Sequence, residues 1–409
     1  MAKEWQNDKV YDYILNNFHK TVKSGGSELK PLVSPCVSEA FTFFFYWDTY
    51  FANLALFEIG DVKQVENNLD NMCTLIDKIG YVPNGYLPDS QTQGLKNRSQ
   101  PPLFSAGVKD LYEHTSDVGV IKRYLPYMEK EYEFWMKERV TPIGLNKYGH
   151  NADDEWLVGF CNGICQRLNI SPDTYEDRVA QGGHFLAIAE SGWDFTPRFH
   201  DGDDYYACEY YAPVDLNSIL YGVERTIAEF SKVIGDKEKE KTYLKKAENR
   251  KVLMDKYMKG IDGFYYDYNY KNDSLSSVIS AASFTPYTFG VSADLVALNA
   301  LTDKLLCEYG IPATEKLSRE CLDQWAYPSV WPPLTFFAVK AMQNLGSNKL
   351  KTVAERYVNT VRETFDNTRA LWEKYDAEKG GVAYGHEYRT VEMFGWTAGV
   401  YSYLVKNCI

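Results

Sequence analysis

The chain has no run of about eighteen apolar residues, so no membrane span is expected. Basic residues are outnumbered, 44 against 56 acidic, for a net charge of −12, which argues against a nucleic-acid surface. Histidine is scarce, six in 409 residues, and the six form no metal-ligand pattern. Eight cysteines are scattered; only Cys161 and Cys165 lie close, and "CNGIC" has neither zinc-ligand nor redox spacing. They read as reduced packing residues. A glycine-rich phosphate cradle and a serine elbow are both missing. No Pro/Gly/Ser-rich or low-complexity linker divides the chain, so a single domain, 1–409, is expected. The opening "MAKEWQNDKVYDYILNNF" has no apolar signal-type stretch and no small-residue cleavage site. It reads as an amphipathic helix, and on that basis a cytoplasmic location is expected.

What the chain does have is helical periodicity. In "DVKQVENNLDNMCTLIDKIG" the residues Val62, Val65, Leu69, Met72, Leu75, Ile76 and Ile79 fall on one stripe at steps of three and four. Asp61 is placed to cap its start and Gly80 its end. "PVDLNSILYGVERTIAEFSKVIG" repeats the design, with Pro213 in the first turn, Gly235 as stop and Asp236 opening the next helix. Further helices are predicted near 103–116, 126–138, 237–258, 293–308, 333–346, 349–366 and 394–406. Sustained β alternation is absent, so the fold class is all-α. Long loops are predicted at 81–102, 146–183, 193–212, 259–292, 321–333 and 372–393. Loops of that length in a domain are usually functional.

Aromatic residues reach 15%, with Tyr 32 and Trp 9. Many stand beside acids, in "YWDTYF" (46–51), "AESGWDFTPRF" (189–199), "LWEKYD" (371–376) and "GHEYRTVEMFGWTAGV" (385–400); "QWAYPSVWPP" (324–333) adds two more tryptophans. A sugar suits such a wall. Its C–H faces stack on Trp and Tyr, and its hydroxyls need carboxylates, amides and guanidinium groups. The competing reading takes the tryptophans as core and the acids as helix caps. Glycosidic cleavage needs two carboxyl groups about one bond, one protonated and one ionised. Asp194, between Trp193 and Phe195 and after Gly192, fits an acid raised by apolar neighbours. Glu387, in the loop "GGVAYGHEY", fits a base that reaches a water. His386 beside it is a candidate for tuning the base, and Arg198 for pairing with a site carboxylate.

Taken together, "FYWDTYF", "GYVPNG" with "NRSQPP", "ESGWDFTPRF", "PVDLNSILY", "QWAYPSVWPP" and "GHEY…FGWTAGV" resemble, in order, the trehalase family of glycoside hydrolases. The resemblance runs from about residue 41 to 401. It implies an (α/α)6 toroid of paired helices and inversion of configuration without a cofactor. It implies Asp194 as general acid and Glu387 as general base, roughly 6.5–9.5 Å apart for inversion. Trp47, Asp48, Asn84, Arg98 and Gln100 fall on sugar-pocket positions of the family. Phe41, Asp173, Trp193, Arg198, Trp325, Trp331 and Trp396 complete the expected substrate-binding set. Three positions depart from the family pattern: Ala40 and Ser171 replace arginines, and Ala326 replaces an aspartate. Lost guanidinium forks weaken the binding of hydroxyls. The expected substrate is therefore α,α-trehalose or a related small α-glucoside. The alternatives are a glycosylglycerate, a sucrose-like disaccharide, or sugar binding without catalysis. The expected partner is that small glycoside alone, with no nucleic acid, membrane, metal or cofactor, on a monomer or simple homo-oligomer.

Overall fold

The structure is a computed structural model that describes residues 8–37, 41, 43–90, 95–168, 172–200, 206–319, 321–384, 390–392 and 394–409. Fourteen α-helices occur among them: α1 Lys9–Asn17, α2 Tyr46–Ile59, α3 Val62–Ile79, α4 Phe104–Thr115, α5 Val118–Glu138, α6 Asp154–Leu168 and α7 Tyr175–Ser191 in the first half. The second half adds α8 Val214–Val233, α9 Lys237–Tyr257, α10 Thr285–Thr288, α11 Leu295–Leu305, α12 Pro332–Leu345, α13 Leu350–Thr368 and α14 Phe394–Asn407. The predicted caps of α3 are in place. The Asp61 carboxylate accepts from the Gln64 N–H, and Gly80 ends the helix at φ 92°, a left-handed conformation that favours glycine. Asp236 likewise caps α9 through the Lys239 N–H.

The helices close a ring. α2 touches α4, α4 touches α8, α8 touches α10, α10 touches α12, α12 touches α14, and α14 packs along α2. This is a helical toroid, as expected. Outside the ring, α3 and α5 pack on α4, α9 on α8, α13 on α12 and α14, and α1 on α14. The outer helices carry amphipathic stripes. In the ring, α2, α12 and α14 are buried along most of their length, whereas α4 and α8 keep a polar face.

Three expectations are corrected. The segment 146–183 is not a loop; it holds α6 and the first half of α7. Gly159 and Gly163 weaken the helical signal of α6, yet neither has a neighbour within 4 Å of an added Cβ, so both sit harmlessly on its open face. α2 also went unpredicted, since Tyr46 to Leu56 are all buried and leave no polar face to reveal a period. α5 begins at Val118, capped by Asp117, and carries Pro126 inside it rather than at its start. Among the described residues, β structure is limited to isolated bridges and two-residue strands, such as Phe44–Phe45 against Gly85–Tyr86 and Ser329–Val330 against Tyr375–Asp376. These clips tie the loops together at the end of the ring where α2, α12 and α14 begin.

Candidate active site

At that end lies a cavity of about 340 Å³. Its lining comes from five places in the chain: the start of α2 with the segment before it, the loop after α3, the end of α7 with the loop after it, the loop into α12, and α14 with the loop before it. Trp47 and Asp48 stand in the first turn of α2 and are nearly inaccessible, at 2% and 7%. Asn84, Arg98 and Gln100 enter from the loop between α3 and α4, and Asp194 follows the end of α7. Trp325, Trp331 and Trp396 close the floor.

The four indoles form one stack. Trp325 and Trp331 lie parallel with centroids 3.7 Å apart. Trp396 meets Trp331 edge-on at 5.8 Å, and Trp47 lies 5.7 Å from Trp325. Their ring N–H groups are used where they are buried: Trp331 donates to the Gln324 carbonyl at 3.2 Å and Trp396 to that of Glu373 at 3.0 Å. Gly192, at φ 77°, ends α7 against Trp47; a Cβ there would stand 3.0 Å from the indole. Any larger residue would displace Trp47.

The polar side chains are held by backbone contacts. The Gln100 side-chain oxygen accepts from the Trp47 N–H at 3.0 Å, and the Asn84 side-chain amide donates to the Ala189 carbonyl at 3.2 Å. The "NRSQ" loop is anchored by Glu190, wholly buried on α7. It accepts from the Ser99 N–H at 2.8 Å and pairs with Arg139 at 2.8 Å. A second chain of contacts reaches Asp194. The Lys374 ammonium, wholly buried, donates to the Gln324 side-chain oxygen at 2.7 Å. With that oxygen engaged, the amide nitrogen of Gln324 faces the Asp194 backbone carbonyl and donates to it at 2.8 Å. Lys374 also lies 4.6 Å above the Trp331 ring and 3.9 Å from Glu373.

Three carboxyl groups, of Asp48, Asp194 and Glu373, face this one space. Burial pushes the Asp48 carboxyl up to about 7, and the charges of Glu373 and Asp194 add to the rise. Arg98 is the cation among them. Burial lowers its pKa, while the charges of Asp194 and Glu190 favour its charged form. Such crowding of like charge in a desolvated cleft marks functional sites.

Of the expected site residues, Phe41, Trp47, Asp48, Asn84, Arg98, Gln100, Asp194, Trp325, Trp331 and Trp396 come together here. Trp193 does not line the cavity; it is buried behind Trp325 at 5.3 Å. Arg198 stacks on the far side of Trp193, 4.2 Å from its ring, and binds the carboxylates of Asp215 and Asp267 at 2.9 and 2.8 Å. It fixes the loop instead of meeting a substrate. Trp193 is the immediate neighbour of Asp194 and faces the other way, while Arg198 sits in the turn Pro197–Phe199 that carries it to Asp215 and Asp267. Asp173 is exposed just ahead of α7 and does not line the cavity. Glu387 and His386 lie outside the described residues, as do Ala40 and Ser171. Ala326 is buried next to the Trp325 stack. Sequence reasoning missed Glu373 and Glu190. The only available signal for Glu373 was its position between Trp372 and Lys374 in an aromatic–acid cluster.

The profile of the trehalase family matches residues 19–408. The chain belongs to the trehalase family. Among curated members, it is 33% identical to a periplasmic trehalase of Xanthomonas campestris pv. campestris over 384 residues, covering 87% of this chain and 64% of that one. It is 31% identical to a periplasmic trehalase of Escherichia coli O1:K1, covering 91% and 68%. The chain thus spans about two thirds of the length of these trehalases. Among solved structures it resembles the neutral trehalase of Saccharomyces cerevisiae, with a TM-score of 0.76 at 23% identity over 92% of this chain and 73% of that one. It also resembles a mannosylglycerate hydrolase of Thermus thermophilus, with a TM-score of 0.65 at 14% identity, covering 96% and 99%. These two likenesses show the fold. The names of the curated relatives overturn the cytoplasmic expectation, because they point to the periplasm. That expectation leaned on the composition of the first residues, which does not decide a compartment. All eight cysteines are free thiols, as expected.

Proposed function

We propose that this trehalase-family chain is an inverting glycoside hydrolase, one catalytic domain over 1–409, acting on α,α-trehalose or a closely related small α-glucoside. Asp194 is the general acid in this reading and Glu387, assigned from sequence, the general base. The observation that carries it is the meeting of Asp194 with Trp47, Asp48, Asn84, Arg98 and Gln100 around one tryptophan-floored cavity. In this reading the indole faces take the C–H surface of one glucose, while Asp48, Asn84, Gln100 and Arg98 take its hydroxyls. Asp194 protonates the bridging oxygen as the C1–O bond breaks. Glu387 removes a proton from the water that attacks C1 from the other face. No cofactor is assigned to any step.

The test is proton NMR of the first products from α,α-trehalose. Inversion at one centre gives β-glucose and α-glucose in equal amounts before mutarotation, whereas retention gives α-glucose alone. Sucrose, kojibiose, maltose, glucosylglycerate and mannosylglycerate complete the panel. Binding of these sugars without release from any of them would turn the assignment into that of a sugar-binding protein.

A further inference from the structure

The cavity is ordered by depth. Trp47, Asp48, Gln100, Trp331, Glu373 and Trp396 are buried and form the floor. Phe41, Phe43, Phe45 and Leu95 are only half-buried and form the mouth. Asp194 is half-buried too, and it shares the cavity with both sets. In a cavity closed at one end, the sugar whose C1 reacts fills the floor and its leaving group remains toward solvent. An acid must reach the oxygen that joins the two, and Asp194, half-buried like the mouth, lines the same cavity as the floor. Whatever leaves must then lie against the mouth.

Among the described residues the mouth is apolar. Phe43 and Phe45 have centroids 4.8 Å apart at 30°, and Phe41 meets Phe45 edge-on at 5.6 Å. Gly85, paired with Phe45 across the short strand clip, has the Leu95 side chain on one side and the Phe45 ring on the other; an added Cβ would stand 2.9 and 3.3 Å from them. Three rings and a leucine therefore share one rim, partly open to water. Hydroxyls gain nothing from those four side chains, and an apolar group gains the area it covers. The sequence is consistent with this, since two arginines of the family pattern are Ala40 and Ser171 here.

From this we infer that the mouth is a leaving-group site that also accepts an apolar group, so that among simple α-glucosides the chain prefers an aryl over a methyl aglycone. The inference rests on the glycosidase reading above and names its substrate class. The reaction is unchanged in balance. Water forms the new C1–O bond and loses its proton to Glu387. The old C1–O bond breaks, and the departing alcohol oxygen takes the proton of Asp194.

The experiment compares kcat/KM for benzyl and methyl α-D-glucoside, whose leaving alcohols are of similar acidity, with α-D-glucosyl fluoride alongside. Fluoride needs no apolar platform, so it reads the floor and the chemistry alone. The expected result is hydrolysis of the fluoride and at least a tenfold preference for benzyl over methyl. That preference should fall to within about threefold in Phe43→Ser and Leu95→Ser and be retained in Phe43→Leu, each checked for native circular dichroism. Hydrolysis of the fluoride with no benzyl preference overturns the apolar site and leaves the glycosidase reading standing. Failure to hydrolyse the fluoride overturns both.

Discussion

The described residues of the ring line two cavities of different character. One, of about 340 Å³, opens where α2, α12 and α14 begin; the other, of about 450 Å³, lies further along the same helices between α2, α4, α8 and α12. Tyr50, one turn beyond Trp47 on α2, belongs to the second. Both contain aromatic rings, and each contains an aspartate that burial pushes up to about 7: Asp48 in the first and Asp110 in the second. They differ in how charge is arranged. In the larger cavity Lys109 pairs with Glu229 at 2.5 Å and Glu113 at 3.4 Å, Lys340 donates to the Tyr403 hydroxyl at 3.2 Å, and Asp110 is hydrogen-bonded to Tyr50. Its charges serve one another. In the smaller cavity three carboxyls crowd one space over a floor of indoles. Size therefore does not mark the site, and neither does one shifted carboxyl; the gathering of three carboxyls and Arg98 against a wall of indoles in one space does.

The sharpest test of that contrast replaces one aspartate at each end. Asp194→Asn should lower kcat/KM for trehalose by about a thousandfold, within the range that general acid catalysis supplies. Asp110→Asn should leave it within about twofold. Equal losses at the two sites would break the comparison.

A smaller effect is expected behind Asp194. Gln324→Leu removes the amide that holds its backbone carbonyl, and Lys374→Met removes the cation that orients that amide. Each should lower kcat by about tenfold to a hundredfold while KM moves less than about threefold, because the substrate contacts remain. The double variant should lose little more than either single one, since the two residues act in series. A rise in KM of the same size as the fall in kcat would show a general loosening of the cavity instead.

Asp48 should govern the pH response of binding. Its carboxyl is held neutral below about 7 and ionises above it. If the carboxylate is the acceptor for sugar hydroxyls, kcat/KM rises by severalfold between pH 6 and pH 8. In Asp48→Asn that limb should disappear from the pH–rate profile.

The smallest effect is on stability. The folded-state pKa of Asp110 is raised from its ordinary 3.8 to about 7. Between those values the folded protein keeps a proton that the unfolded chain has lost, so this group's contribution to stability falls as pH rises through that window. Asp110→Asn should therefore raise Tm by a few degrees at pH 8 and leave it unchanged near pH 4. Thermal melts at the two pH values check it.

The two layers of the toroid were not equally legible in the sequence. α3 could be bounded almost to the residue, because one face meets solvent and the stripe, the Asp61 cap and Gly80 agree; the start of α9 was fixed by Asp236. α2 and the second half of α7, Gln181 to Ser191, are buried on all sides, so apolar and polar residues follow no period along them. The site shows a similar split. Trp47, Asp48, Asn84, Arg98 and Gln100 were legible because they sit in motifs whose residue types have no other common use. Glu190 and Glu373 were not, since a lone glutamate in a sequence reads as a solvated charge until its burial is seen. Arg198 was legible as a partner of carboxylates, but which carboxylates depends on Asp215 and Asp267, brought in by distant segments.

The seam between α14 and α2 has a consequence for biosynthesis. Trp47 and Trp396 meet across the cavity at 6.4 Å, yet nearly the whole described chain separates them in sequence. A nascent chain that has made α2 but not α14 has half a floor and nothing to bind, with the aromatic face of Trp47 bare. The cavity therefore arises in a single late event, when α14 docks and the ring shuts. The long sequence separation makes that event slow relative to the local pairing of the hairpins that precede it.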